Sequence, residues 1–162
     1  MDVKILPCHS QFKIEACFFP EVAFQAFPQK KRIKREMPSL KDIRLFFSPI
    51  DQDCRFQASL RIVSEQDEKS ERFCYSFALT SVGLFKWDGE TPSDDEERKT
   101  FEEHLAITGA SILYSGLRTM LQTITAMGPY PPCVLSAIRF VPEMIEKVKK
   151  APFENQDSPQ KK

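Results

Sequence analysis

The sequence predicts an α+β domain, a four-stranded antiparallel sheet with one long and one short helix packed on one face. Four segments in the first two-thirds alternate apolar and polar residues with period two. The apolar spacing switches to threes and fours after Trp87. The strands come first and the helices follow, without the interleaving that builds parallel sheets. At 162 residues the chain is one domain. Residues 1–150 form the expected folded unit, and 151–162, polar and without an apolar stripe, an expected disordered tail.

The first strand is read from Phe12, Ile14, Ala16 and Phe18 and resumes at Val22, Phe24 and Ala26. Pro20 interrupts it and donates no ladder hydrogen bond, which predicts a bulge and an edge position. A connection from Phe27 to Ser39 carries two prolines and the basic run Lys30, Lys31, Arg32, Lys34 and Arg35. Ile43, Leu45 and Phe47 mark a second strand, Phe56 to Ile62 a third and Phe73 to Leu79 a fourth. Their links are short, as antiparallel neighbours require.

Ser93-Asp94-Asp95-Glu96 fits a helix start, with acids where the helix dipole favours them. Phe101, Leu105, Ile112, Leu113, Leu117, Met120, Leu121, Ile124 and Met127 then recur at helical spacing. Gly128 serves as a C-terminal cap and Pro129 stops the helix. Gly109, Ala110, Ser111, Ser115 and Gly116 mark a kink, a seam for a second helix, or merely an imperfect helix. Such a helix overhangs four strands, so self-association is expected. Gly109, Ser111, Gly116, Leu117 and Leu121 are its candidate interface. After a proline-rich link, Pro142 opens an expected short helix whose apolar side is Met144, Ile145 and Val148.

Lysine plus arginine and aspartate plus glutamate are 23 each, which argues against nucleic acid as the main partner. No apolar run is long enough to span a bilayer, and the short, acidic N-terminus does not fit a secretory signal, so a cytoplasmic protein is expected. Five separated cysteines suit neither a disulfide framework nor a zinc site. His9 and His104 lack partners for catalysis, and no glycine-rich phosphate loop occurs. The acids at 94–97 lack the spacing of a calcium loop. No enzyme activity, cofactor or metal is therefore expected. Fourteen phenylalanines are more than so small a domain readily hides, so some are expected at a binding surface.

The stretch Ile107-Thr-Gly-Ala-Ser-Ile-Leu-Tyr-Ser-Gly-Leu-Arg118, the turn Met127-Gly-Pro-Tyr-Pro-Pro, and the link ending in Ile138-Arg-Phe140 resemble the SecB export chaperone family. Phe12-Lys-Ile14 through Ala26 resembles its first strand, and Gly83-Leu-Phe85 the end of its fourth. The resemblance covers most of residues 10–150. It implies a dimer of dimers that holds unfolded polypeptides, without ATP, in grooves lined here by Met37, Leu40, Ile43, Leu45, Met144, Ile145 and Val148. Three acidic positions contact the SecA motor in that family. They correspond to Glu21, Gln25 and Ala78, so one carboxylate is kept and two are lost. Exported precursors and a dedicated antitoxin partner are the alternative clients. A binding module for a small apolar ligand, such as an acyl chain, is the rival from another class.

Overall fold

The computed structural model describes residues 11–27, 38–64 and 74–147. Four long antiparallel strands form the sheet: β1 (Phe12–Ala26), β2 (Leu40–Phe47), β3 (Arg55–Ser64) and β4 (Tyr75–Trp87). The helix α1 (Asp95–Ala126) lies across one face, against β3 and β4. A three-residue strand, β5 (Ile145–Lys147), completes the order β1-β4-β3-β2-β5 among the described residues. The expected strand at 12–26 and its edge position both appear. The register with β4 shifts between Phe18 and Glu21, the interval that holds Pro20.

Residues directly opposite across the ladder share a face. Phe56 faces Phe85, Ala58 faces Gly83 and Ile62 faces Leu79, and this row forms the floor under α1. Leu105, Ala106, Ala110, Leu113, Leu117 and Leu121 descend onto it from the helix and are buried. Gly109 belongs to the same seam. A Cβ there would stand 3.3 Å from the Phe85 ring and 3.5 Å from the Ala58 Cβ, so glycine lets the helix lie close to the sheet. The helix runs unbroken through this stretch. Its 32 residues span about 48 Å at ~1.5 Å each.

The Asp94 carboxylate caps α1 by accepting from the Glu96 and Glu97 N–H groups at 3.1 and 3.2 Å. At the other end the cap is Met127, in right-handed helical geometry, and not the glycine expected from the sequence. Gly128 matters for space: a Cβ there would meet the Tyr75 hydroxyl at 2.8 Å. That hydroxyl lies 3.0 Å from the Tyr130 carbonyl and 3.3 Å from the Thr125 carbonyl, donating to one or the other. It accepts from the Tyr130 N–H at 3.2 Å. Thr125 Oγ1 takes the Cys133 N–H at 2.8 Å. Together they turn the chain sharply, and the link after Gly128 runs back along α1. The Tyr114 hydroxyl donates to the Ser136 carbonyl at 2.6 Å, and the Tyr114 and Phe140 rings meet edge to face.

One expectation is overturned here. No short α-helix begins at Pro142; the chain makes a 3-10 turn at Pro142–Met144, and β5 then pairs in parallel with Leu45, Phe46 and Phe47 of β2. A helix this short is marginal on its own, whereas the β2 edge offers ready backbone partners. The proposed tail 151–162 and the basic run 30–35 lie outside the described residues.

Candidate functional site

The groove expected beside β2 is only partly open. Leu40 and Ile43 are half-buried and pack against the core, as does Met144 in the 3-10 turn. Leu45 is a correction: it is 1% exposed and belongs to the core, because the inward phase of β2 carries it under α1. Ile145 opens β5, opposite Leu45 in register. Met37 and Val148 lie outside the described residues. The structure thus brings Leu40, Ile43 and Met144 to one margin of the sheet.

Among the described residues, most of the exposed large apolar side chains lie at the opposite margin, on β1. Ile14 is 52% exposed, Val22 47%, Phe18 43% and Phe19 37%, and Leu84 on the neighbouring β4 is 37%. Ile14 and Val22 sit on the α1 side, opposite Phe85 and Leu79 in register, and the Phe19 ring lies beside Gly116 of α1. Phe18 faces the other way, opposite Val82, which is fully buried yet lies outside the core beneath the helix. Both faces of β1 therefore present large apolar side chains. Its outer edge pairs with no strand among the described residues. The adjacent Phe18-Phe19 pair, which must point to opposite faces of a strand, was the sequence signal for this.

On the outer face of the sheet the charges are matched. Arg61 donates to both carboxylate oxygens of Glu21, at 3.0 and 3.2 Å, and Thr80 Oγ1 donates at 2.7 Å. These hydrogen bonds, Arg61 first, hold the Glu21 carboxyl below its ordinary range. Arg55 pairs likewise with Glu15 at 3.1 Å, and Lys13 and Lys86 both reach Asp88. Glu21 is thus engaged within its own sheet. Gln25 lies opposite Ser76 and Ala23 opposite Ala78, so no carboxylate stands at either position.

The candidate helix interface divides. Gly109, Leu117 and Leu121 are buried against the sheet, a correction that follows from their sharing the stripe that builds the core. Ser111 is exposed on the helix's far side, and Gly116 is half-buried beside Phe19. From Leu105 to Met127 the helix carries one charged residue, Arg118. Its exposed Thr108, Ser111 and Thr123 hydroxyls all donate to carbonyls one turn back.

A second feature was not anticipated. Between the N-terminal half of α1 and the returning link lies a groove of about 590 Å³, walled by Thr100, Glu103, His104, Ile107 and Ser111 on one side and by residues 138–142 on the other. His104, for which the sequence offers no catalytic partner, is among its lining residues. Among the described residues, no three His, Cys, Asp or Glu side chains gather as a metal site, and no helix is long and apolar enough to cross a membrane.

No protein-family model and no curated protein matches the chain. Similarity emerges among solved structures. A protein of unknown function from Streptococcus agalactiae aligns with a TM-score of 0.50 at 14% identity, over 78% of this chain and 97% of that one. The Mycobacterium tuberculosis Rv1957 SecB-like chaperone, solved with a ChAD peptide from the Rv1956 HigA1 antitoxin, aligns at 0.49 and 16% identity. That alignment covers 78% of this chain and 90% of the other. At such identities a likeness concerns the fold.

Proposed function

We propose that this protein is an ATP-independent holding chaperone that captures extended, unfolded segments of other polypeptides and keeps them from aggregating. The observation that carries this is the run of half-exposed Ile14, Phe18, Phe19 and Val22 along a 15-residue edge strand. Apolar client side chains lose contact with water against these residues, and client backbone can add to the uncovered strand edge. Long apolar edge strands invite aggregation unless covered, and no strand among the described residues pairs with the outer edge of this one. The co-linear likeness of residues 10–150 to the SecB family supports the same reading, and Leu40, Ile43 and Met144 supply a second apolar margin.

Charge bears on the choice between the two kinds of client. With Glu21 tied to Arg61 and no carboxylate at 25 or 78, a SecA-like motor finds little to hold on the outer face. A dedicated client, such as an antitoxin, fits better than general export. Assembly as a dimer or dimer of dimers would use surface that the monomer leaves exposed.

The test is aggregation of a chemically denatured reporter protein diluted into buffer without nucleotide, followed by light scattering. Equimolar chaperone should suppress scattering. Unchanged scattering overturns the proposal, and an acyl lipid retained in native mass spectrometry would favour the small-ligand alternative.

A further inference from the structure

The geometry points to a second peptide subsite in the groove between the N-terminal half of α1 and residues 138–142. It takes an extended segment whose apolar side chain lies between one basic and one acidic residue. This deepens the polypeptide-binding reading and rests on it only for the kind of ligand.

A cavity of about 590 Å³ is the size that accommodates a short peptide stretch. The floor is apolar. Phe140 is buried and fixed edge-on against Tyr114, with Ile107 and Ile138 half-buried beside it. One wall, at residues 138–140, is an extended chain that pairs with no strand among the described residues. Among the described residues, the backbone of Ile138, Arg139 and Phe140 makes no hydrogen bond, so its N–H and C=O groups stand ready for a ladder. A second extended chain supplies those partners; a compact small molecule does not.

The two lips differ in charge. Glu103 stands on the helix lip and Arg139 on the other, and neither forms an ion pair among the described residues. Glu103 also lies close after the acids Asp94, Asp95, Glu96 and Glu97 that open the helix. A peptide's basic side chain is drawn to the helix lip and its acidic one to Arg139, which fixes direction as well as position. Ser111 lines the helix side of the groove. Its hydroxyl donates to the Ile107 carbonyl at 2.8 Å, so nothing larger than a hydroxymethyl group protrudes there.

The test uses the full-length protein and two short fluorescein-labelled peptides sharing a Leu-Phe-Leu centre, one flanked by lysine and glutamate, the other by serine and threonine. Anisotropy should show the charged-flank peptide binding roughly five- to tenfold more tightly. Joint Glu103→Gln and Arg139→Gln substitution, at partly exposed sites that the fold tolerates, should erase that preference. Ser111→Trp should fill the groove and weaken both peptides by about tenfold or more. Equal affinity of wild type for the two peptides, or Ser111→Trp binding unchanged, overturns the subsite. So does a change of oligomeric state in Ser111→Trp with peptide affinity intact, which would assign this face to self-association. Suppression of reporter aggregation is scored in parallel. Aggregation suppressed without peptide preference removes the subsite and leaves the chaperone; peptide preference without suppression does the reverse.

Discussion

The exposed face of β1 gives the sharpest test of polypeptide capture. Ile14 and Val22 are 52% and 47% exposed, on the same side of the strand and flanking the bulge. Complete burial of such a side chain is worth about 1.5–3 kcal/mol, so roughly 1 kcal/mol each is still to be gained when a client covers them. Threonine keeps the branched β-carbon and the strand preference but puts a hydroxyl in place of a methyl group at Val22 and of the ethyl group at Ile14. The double substitution Ile14→Thr, Val22→Thr is therefore expected to remove about 2 kcal/mol of binding, roughly a 30-fold rise in Kd. The same half-exposure limits the cost to the fold, so Tm should fall by only a few degrees. The assay is fluorescence anisotropy of a permanently unfolded, reduced and carboxymethylated protein, at equal chaperone concentration and confirmed oligomeric state. Affinity unchanged in a folded double variant would refute the assignment of β1 as the capture surface.

Four further outcomes follow from the packing and the charges. Leu117→Ala empties a site 0% exposed under α1 and should cost about 2–5 kcal/mol in chemical denaturation, without altering subunit number by sedimentation. Tyr75→Phe removes the hydroxyl that joins the end of α1 to the proline-rich link. It should cost about 1–2 kcal/mol and speed hydrogen exchange at the amides of Tyr130 and Cys133. Because Arg61 and Thr80 lower the Glu21 carboxyl from its ordinary 4.5, their stabilisation is complete above that pH and fades as pH falls through the lower folded value. Wild type should thus lose slightly more stability in acid than Glu21→Gln, by less than about 1 kcal/mol given how exposed the pair is, measured by denaturation at stepped pH. Burial pushes the Cys133 thiol up to about 12, while Cys17 is exposed; iodoacetamide near neutral pH should modify Cys17 well ahead of Cys133, which is spared until the protein unfolds, as read by mass spectrometry.

The sheet and the long helix were legible because their signals were local. Period-two alternation located β1 to β3 and the first part of β4, which continues past the expected Leu79 to Trp87. Pro20 marked both the irregular register and the edge, and Asp94 caps α1 as its neighbourhood of acids required. What failed was decided by competition between elements. The spacing of Met144, Ile145 and Val148 suits a helix, but spacing does not report a nearby strand edge whose backbone groups can be paired. Residues 145–147 took the edge of β2. Gly128 was correctly placed at the end of α1 for the wrong reason: its value is the room it leaves for the Tyr75 hydroxyl, a contact from a residue far away in sequence.

The site was less legible, and the reason is geometric. Val22-Ala23-Phe24 on β1 and Phe77-Ala78-Leu79 on β4 have nearly the same alternation, and they face one another across the ladder. Leu79 is 0% exposed and Val22 47%. What separates them is rank in the sheet: β4 lies between β1 and β3 beneath α1, whereas β1 has, among the described residues, a neighbour on one side only. Composition fixes how much apolar surface a small chain must leave uncovered, but strand order decides which residues carry it. For the same reason Leu45, chosen from its apolar character as a groove residue, went to the core with the inward phase of β2, while Phe18 and Phe19 were left to face water from opposite sides of one strand.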